Sequence, residues 1–331
     1  MDIVTQGILG ASFAQLSVPA DKVRRAAGIG CVAGVLPDLD FFIQSVEDPL
    51  LALEFHRHFT HSLVGVPLLA LVLTILLWPL QKKVLNLRML FRICFFGILP
   101  SGILDVCTSY GTYLFWPFYD EPVSLDIIAI IDPLFTLLLF FPLLVGLYHR
   151  RQEQLGILLA LTYLIFAGVQ HERAVSVMER WREERGHETT DYIVKPTMGN
   201  LLVWRSLYYH ENQIFVDALR LGDPEVRYPG GIVTKFVPER ELVWAERGTR
   251  IWKDSDRFLK QTRGWVIRLN KKGTALGDIR YSMLPNGINP LWELHFQEQN
   301  PDAMPKLINK RSLSQGIREV FWGMLLGLPH P

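Results

Sequence analysis

From Leu63 to Leu80 the chain carries no charged residue, and Lys82 and Lys83 follow at once. A run of about 18 apolar residues is long enough to cross the hydrocarbon of a bilayer. In lipid a single segment must satisfy its own backbone hydrogen bonds, so it has to be a helix. Similar runs recur at 89–106, 127–147 and 155–170, and a run at 26–46 is interrupted by Pro37, Asp38 and Asp40. The pattern predicts a polytopic α-helical membrane domain over 1–170, with four spans and one broken helix. A small β-rich soluble domain then follows over 186–310, joined by a helical connector at 171–185. Residues 311–331 read as an amphipathic tail.

Local signals refine this picture. Residues 3–16 are apolar but too few to span, and they predict an interfacial or re-entrant helix with Asp2 as its N-cap. Gly30 and Gly34 have the GxxxG spacing that lets helices approach closely. Pro37 disfavours helix at Leu36 and predicts a break there. No basic segment precedes the first apolar stretch, so the N-terminus does not read as a signal peptide. Basic residues cluster at Lys22, Arg24 and Arg25, at Lys82 to Arg92, and at His149 to Arg151. Such clusters favour the cytoplasmic side. Asp38, Asp40, the histidines, Asp105, Asp126 and the C-terminal domain are then expected on the opposite side. With a formal net charge of +1, no nucleic-acid partner is expected. The cysteines Cys31, Cys94 and Cys107 form no CxxC pair and read as inert.

Beyond Gly186 short β-forming stretches alternate with turns. Leu201–Trp204, Gln213–Val216, Gly231–Val233, Trp265–Ile267 and Trp292–Phe296 read as strands. Gly222-Asp223-Pro224, Pro229-Gly230-Gly231, Lys272-Gly273 and Pro285-Asn286-Gly287 read as turns. A helical insert is expected near 238–262. The tail from Ile317 to Leu328 is expected to touch either the membrane or the β-domain.

The chemistry concentrates in Pro37-Asp38-Leu39-Asp40 and His56-Arg57-His58-Phe59-Thr60-His61. Ionisable groups beside apolar segments are costly unless they pair or bind something. Asp38, Asp40, His56, His61 and Asp105 are the candidate metal ligands. Their mixed nitrogen and oxygen donors suit a divalent Zn, Mn or Fe ion better than a thiolate-selective metal. Asp126 and Asp132 are candidates for orienting a ligand or acting as general base, and Arg57 for holding an anionic group. The bland alternatives are helix capping by Asp126, a kink at Asp132-Pro133, and a cap by Thr60 or Ser62. No GxSxG, HExxH or Walker pattern is present. His171, His187, His210, His295 and His330 are scattered and read as structural or exposed.

Several ordered motifs carry a family resemblance. They are Asp2-Ile3-Val4-Thr5-Gln6, Gly34 to Asp40, His56 to Ser62, Leu104 to Thr112, Pro117-Phe118 and Ile131-Asp132-Pro133. Together they resemble the LexA-binding, inner-membrane-associated metal-dependent hydrolases of bacteria. The resemblance covers roughly 1–170, and more loosely continues to Asp278-Ile279-Arg280-Tyr281. It implies a bacterial inner-membrane protein classed as a metal-dependent hydrolase. Many members carry His four residues before the aspartate matching Asp105, and some carry His at the position of Gln6. Here the first position is Ser101, which leaves His56 and His61 as the main nitrogen ligands. The expected activity is hydrolysis by a metal-activated water on a lipid-linked, amphiphilic or phosphoester substrate beside membrane lipid. The alternative is a non-enzymatic, metal-stabilised membrane scaffold or sensor whose β-domain binds a protein partner.

Overall fold

The computed structural model describes residues 1–148, 152–189, 191–312 and 314–329. The basic cluster His149, Arg150 and Arg151, like His330, lies outside the described residues. In chain order the helices are α1 (Ile3–Leu16), α2 (Val23–Val35), α3 (Leu51–Phe55), α4 (Gly65–Gln81), α5 (Leu87–Val106), α6 (Pro133–Gly146), α7 (Gln152–Glu184), α8 (Pro238–Glu241), α9 (Arg250–Gln261) and α10 (Gln315–Leu326). The strands are β1 (Tyr192–Pro196), β2 (Val203–His210), β3 (Gln213–Arg220), β4 (Val226–Thr234), β5 (Val266–Arg268), β6 (Ala275–Asp278), β7 (Trp292–His295) and β8 (Lys306–Asn309). The chain divides into two units. One comprises Met1–Ile43, Phe55–Gln170 and Met198–Asn200; the other comprises Gln44–Glu54, His171–Thr197 and Leu201–Pro331.

In the helical unit, α1 starts where Asp2 accepts from Val4 N and Thr5 N, as its N-cap position predicts. Helices α1, α2 and α5 then meet through glycine. A Cβ on Gly30 would lie 2.6 Å from Gly10 O, and one on Gly34 would lie 2.3 Å from Gln6 O. The GxxxG spacing therefore works as expected: bare backbone lets α1 lie directly on α2. A core of Ala14, Ala26, Ala33, Ala70, Leu90, Ile93 and Ile98 fills the rest of this packing. Helix α2 stops at Val35, and Leu36–Phe42 continues as a tighter 3₁₀ turn with Pro37 near its start.

Among the described residues two helices, rather than the four spans expected, are long and apolar enough to cross a membrane: Leu87–Val106 and Gln154–Glu184. A third exists only if Gly65–Gln81 is joined to the preceding Leu51–His61, bent from it by 81°. The run at 127–147 is the main difference. Its helix begins at Pro133 and has 14 residues, because Asp132 caps it by accepting from Phe135 N. The residues before it are tied to the end of α5, with Ile127 N and Ile128 N both donating to Cys107 O. Asp132-Pro133 thus opens a helix instead of kinking one. Leu71, Ile75 and Leu76 of α4, Leu137 and Phe141 of α6, and Leu161, Ile165 and Phe166 of α7 are exposed. Continuous apolar helix faces turned outward fit a lipid solvent rather than water.

The second unit holds two antiparallel meanders, β1-β2-β3-β4 and β5-β6-β7-β8. Ile193, Leu207, Ile214 and Val216 from the first sheet share a core with Trp265, Ile267 and Ile279. The expected helical insert is α8 and α9, and Ile251 and Phe258 of α9 pack on Val266, Leu276 and Leu294. Leu50 joins that same core, while Asp48 and Glu54 both accept from Arg257. The tail helix α10 lies against the first sheet, where Met324 packs with Val203, Ala218 and Tyr228. Pro229-Gly230-Gly231 does not form the turn its composition suggests. It lies inside β4, at a register shift opposite Val216. Pro is tolerated there because β4 is an edge strand. Glycine is required because a Cβ on Gly230 would lie 2.4 Å from Val216 O. Strands β1, β6 and β8 had no clear sequence signal, being four or five residues long and ending in or containing Pro, Gly or Lys.

Candidate metal centre

Three chain breaks bring the polar residues of the helical unit together. Asp38 and Asp40 lie on the turn that ends α2. His56 to His61 lie on the irregular segment before α4, and Asp105 is one residue from the end of α5. Gly102 makes this approach possible, since a Cβ there would lie 2.3 Å from His61 O. Ligand atoms of Asp38, His61 and Asp105 all fall within 4.8 Å of one another. His61 and Asp105 are fully buried, and the Asp38 side chain is 12 % exposed.

His61 is the centre of this trio. Its Nε2 lies 3.3 Å from Asp38 Oδ1 and 3.3 Å from Asp105 Oδ2. Among the described residues neither His61 Nε2 nor Asp105 Oδ2 makes a hydrogen bond, though both are buried and Asp105 Oδ2 faces Arg57 Nε at 3.4 Å. The other imidazole nitrogen is fixed: Thr60 Oγ1 donates to Asp40 Oδ2 at 2.7 Å and lies 3.0 Å from His61 Nδ1. A hydroxyl that donates to Asp40 is free to accept, so this bonding assigns the proton to His61 Nδ1. The Nε2 lone pair then faces two carboxylates. Arg57 and the Met1 amino group already offset Asp105, and a proton on Nε2 or a metal ion would in addition offset Asp38. A spacing of 3.3 Å is what two ligands about 2.0–2.1 Å from one tetrahedral ion have. The donor set of one imidazole and two carboxylates suits Zn, Mn or Fe.

Asp40 stands behind this trio. Its Oδ1 lies 2.9 Å from His56 Nδ1, and its Oδ2 accepts from Arg57 N at 2.8 Å as well as from Thr60. Burial alone would raise its carboxyl, but contacts with His56 and His61 outweigh burial and hold it below the usual carboxylate range. The geometry therefore gives Asp40 and His56 a place beside the trio, with Asp40 orienting the segment that carries His61. His56 packs edge-on against Tyr110, and His58 packs on Tyr113 and Trp116.

Arg57 is buried with φ 58°, a left-handed backbone that a long side chain rarely adopts. Its Nη1 donates to Thr108 Oγ1 at 3.0 Å, and its Nε lies 3.4 Å from Asp105 Oδ2. The Met1 amino group also bonds Asp105 Oδ1. Asp132 is held elsewhere, accepting from Phe135 N and from the Tyr163 hydroxyl at 2.7 Å. Asp126 follows Leu125, whose N donates to Val106 O, and its buried Oδ1 has no hydrogen-bond partner among the described residues. Gln6 and Ser101 are also neighbours: Gln6 Nε2 donates to Ser101 O at 3.4 Å, and Gln6 Oε1 is left unbonded.

The search for relatives matches the model of one family, described as YdjM inner membrane protein, over residues 1–174. The chain belongs to the YdjM inner membrane protein family. The match covers Met1–Ile43 and Phe55–Gln170 of the helical unit, including Asp38, His61 and Asp105. The outward apolar faces of α4, α6 and α7 are what an inner-membrane family requires of its helices. No curated protein and no solved structure matches the chain. Thr60 is the residue that sequence reading undervalued. It reads as a helix cap, yet its hydroxyl sets the imidazole, and Ser62 is the one of the two that accepts from Gly65 N at the start of α4.

Proposed function

We propose that the protein is a membrane-bound metal-dependent hydrolase that acts through a metal-activated water. The observation that carries this reading is the convergence of buried His61 Nε2 and Asp105 Oδ2, neither hydrogen-bonded among the described residues, with Asp38. The motif resemblance to LexA-binding, metal-dependent hydrolases supports it independently. Asp38, His61 and Asp105 would hold the ion, which would supply a water acidified to near neutral pH. Asp40 and Thr60 hold the His61 ring so that Nε2 faces the carboxylates. Arg57, whose Nε is ion-paired with Asp105 Oδ2 at 3.4 Å, would position an anionic group beside the ion. Of the two further acids, Asp126 is the better general base. Both oxygens of Asp132 are taken up by bonds to α6 and α7.

The substrate proposed is lipid-linked and carries a phosphoester. Exposed Leu39, Phe41 and Phe42 flank Asp38 and Asp40, and exposed Phe115 and Phe118 follow the connector from α5. Such a rim suits an amphiphile whose head reaches the trio while its tail stays in lipid. The test is metal-dependent turnover of lipid-linked phosphoesters in mixed micelles, with the His61→Ala protein as blank. Turnover that needs both added metal and His61 is expected. The near-complete burial of His61 and Asp105 favours one other reading, a closed structural ion site. About one ion per chain with no turnover above the blank would move the assignment there.

The basic clusters further support a trio on the non-cytoplasmic side, together with the C-terminal unit. Reporter fusions after residues 85 and 190 are then expected to report opposite sides. Both on one side would end this orientation.

A further inference from the structure

A second group of charges sits at the end of the helical unit remote from the trio. Lys22, Arg24 and Arg25 lie at the start of α2, Lys82 and Lys83 follow α4, and Arg88 and Arg92 lie in the first turns of α5. Hydrogen bonds draw these helix ends together. Arg25 Nη1 donates to Gln81 Oε1 at 2.8 Å, and Arg92 Nη2 donates to Ser17 O at 2.7 Å, at the end of α1. Arg24 Nε donates to Leu147 O at 3.1 Å, at the end of α6, with its guanidinium 4.7 Å from the Tyr148 ring centre. Five helix ends therefore share one basic collar. Among the described residues of these segments the one carboxylate is Asp21, already 3.2 Å from Lys22 Nζ. Lys82, Lys83 and Arg88 are exposed, with no ion-pair partner among the described residues.

The position of the collar decides what it meets. Arg88 and Asp105 stand about 26 Å apart along α5 at 1.5 Å rise per residue. That is close to the hydrocarbon thickness of a bilayer, about 30 Å. Between them the helices expose Leu71, Ile75, Leu137 and Phe141. In an inner-membrane protein, cations one bilayer thickness from the opposite end lie at headgroup depth. Tyr148, 73 % exposed beside Arg24, is the amphipathic ring expected at that depth.

We propose that this collar binds the phosphate headgroups of anionic phospholipids. Convergent guanidinium and ammonium groups with almost no competing carboxylate make a site for phosphate rather than for zwitterionic choline headgroups. Each cation close to an anionic leaflet raises binding by about fivefold. The assignment does not depend on hydrolysis at the trio.

The test is the relative affinity of the full-length protein for phosphatidylglycerol over phosphatidylcholine in vesicles. It is read by quenching of tryptophan fluorescence with brominated lipid. The unmodified protein is expected to prefer phosphatidylglycerol by about tenfold or more. The triple variant Lys82→Gln, Lys83→Gln, Arg88→Gln should fall to within about twofold of parity while keeping its helical circular dichroism. These three side chains are exposed, so the variant does not threaten the fold. Parity in the unmodified protein, or an undiminished preference in the variant, would overturn the assignment. Displacement of the lipid by a short RNA duplex at equal phosphate would overturn it too, by making the collar a nucleic-acid site.

Discussion

Replacing His61 with alanine is expected to weaken Zn or Mn binding by about 100-fold or more, since second-shell losses alone cost about 10–100-fold. The same change at His56 should cost far less. Both histidines come from one short sequence cluster, and they separate only in the structure. His61 Nε2 is buried, unbonded and 3.3 Å from two carboxylates. His56 Nδ1 is bonded to Asp40, and its side chain is 24 % exposed. Thr60→Val keeps the shape of the side chain but removes the hydroxyl between Asp40 and His61. It is expected to weaken metal binding by about 10–100-fold, as loss of an orienting partner does. The sign of the pH effect follows from the same nitrogen. A proton and a metal ion compete for His61 Nε2, so affinity should fall as pH falls through the imidazole range. Chelator competition on detergent-purified protein measures all three. If His56→Ala lost as much affinity as His61→Ala, the trio would be the wrong ligand set.

The sequence made the residue types of this site legible, but not their division of labour. Asp38, Asp40, His56 and His61 stand out because hydrogen-bonding groups beside apolar runs need a reason to be there. What separates Asp38 from Asp40 is the direction of each side chain on a 3₁₀ turn, and no periodic pattern encodes that over a few residues. In sequence Asp105 ends one apolar run and Asp132 sits inside another, near its start. Asp105 ends its helix facing His61, whereas Asp132 begins one and is consumed as its cap. The apolar run at 127–147 misled for a related reason. Hydropathy counts residues and does not see that 127–128 are bonded back to Cys107. In the second unit, longer strands such as β2 and β3 were legible from β-forming side chains. Pro229-Gly230-Gly231 was not, because a bulge on an edge strand and a turn use the same residues.

Gly10→Ala should destabilise the helical unit by about 1–3 kcal/mol, the cost of forcing one methyl into a packed interior. The added carbon would lie 2.4 Å from Gly30 O, 2.7 Å from Gly97 O and 2.8 Å from Gly34 Cα. All three are backbone atoms of α2 or α5, so no side chain can rotate away and whole helices must move. Gly28→Ala is the matched control, since a Cβ there meets nothing within 4 Å. In a helix interior it should be neutral or stabilising by about 0.5–1 kcal/mol. Thermal unfolding in one detergent compares the two. The consequence reaches the candidate metal centre, because Asp38 follows the end of α2 and Asp105 ends α5. Separating these helices moves the two carboxylates apart without touching either one. Gly10→Ala is therefore expected to weaken metal binding as well as stability, and Gly28→Ala to change neither for the worse. If Gly10→Ala bound metal as tightly as the unmodified protein while unfolding at a lower temperature, the glycine contact would serve stability alone. The spacing of Asp38 and Asp105 would then be set by their own turns, without dependence on the approach of α1 to α2 and α5.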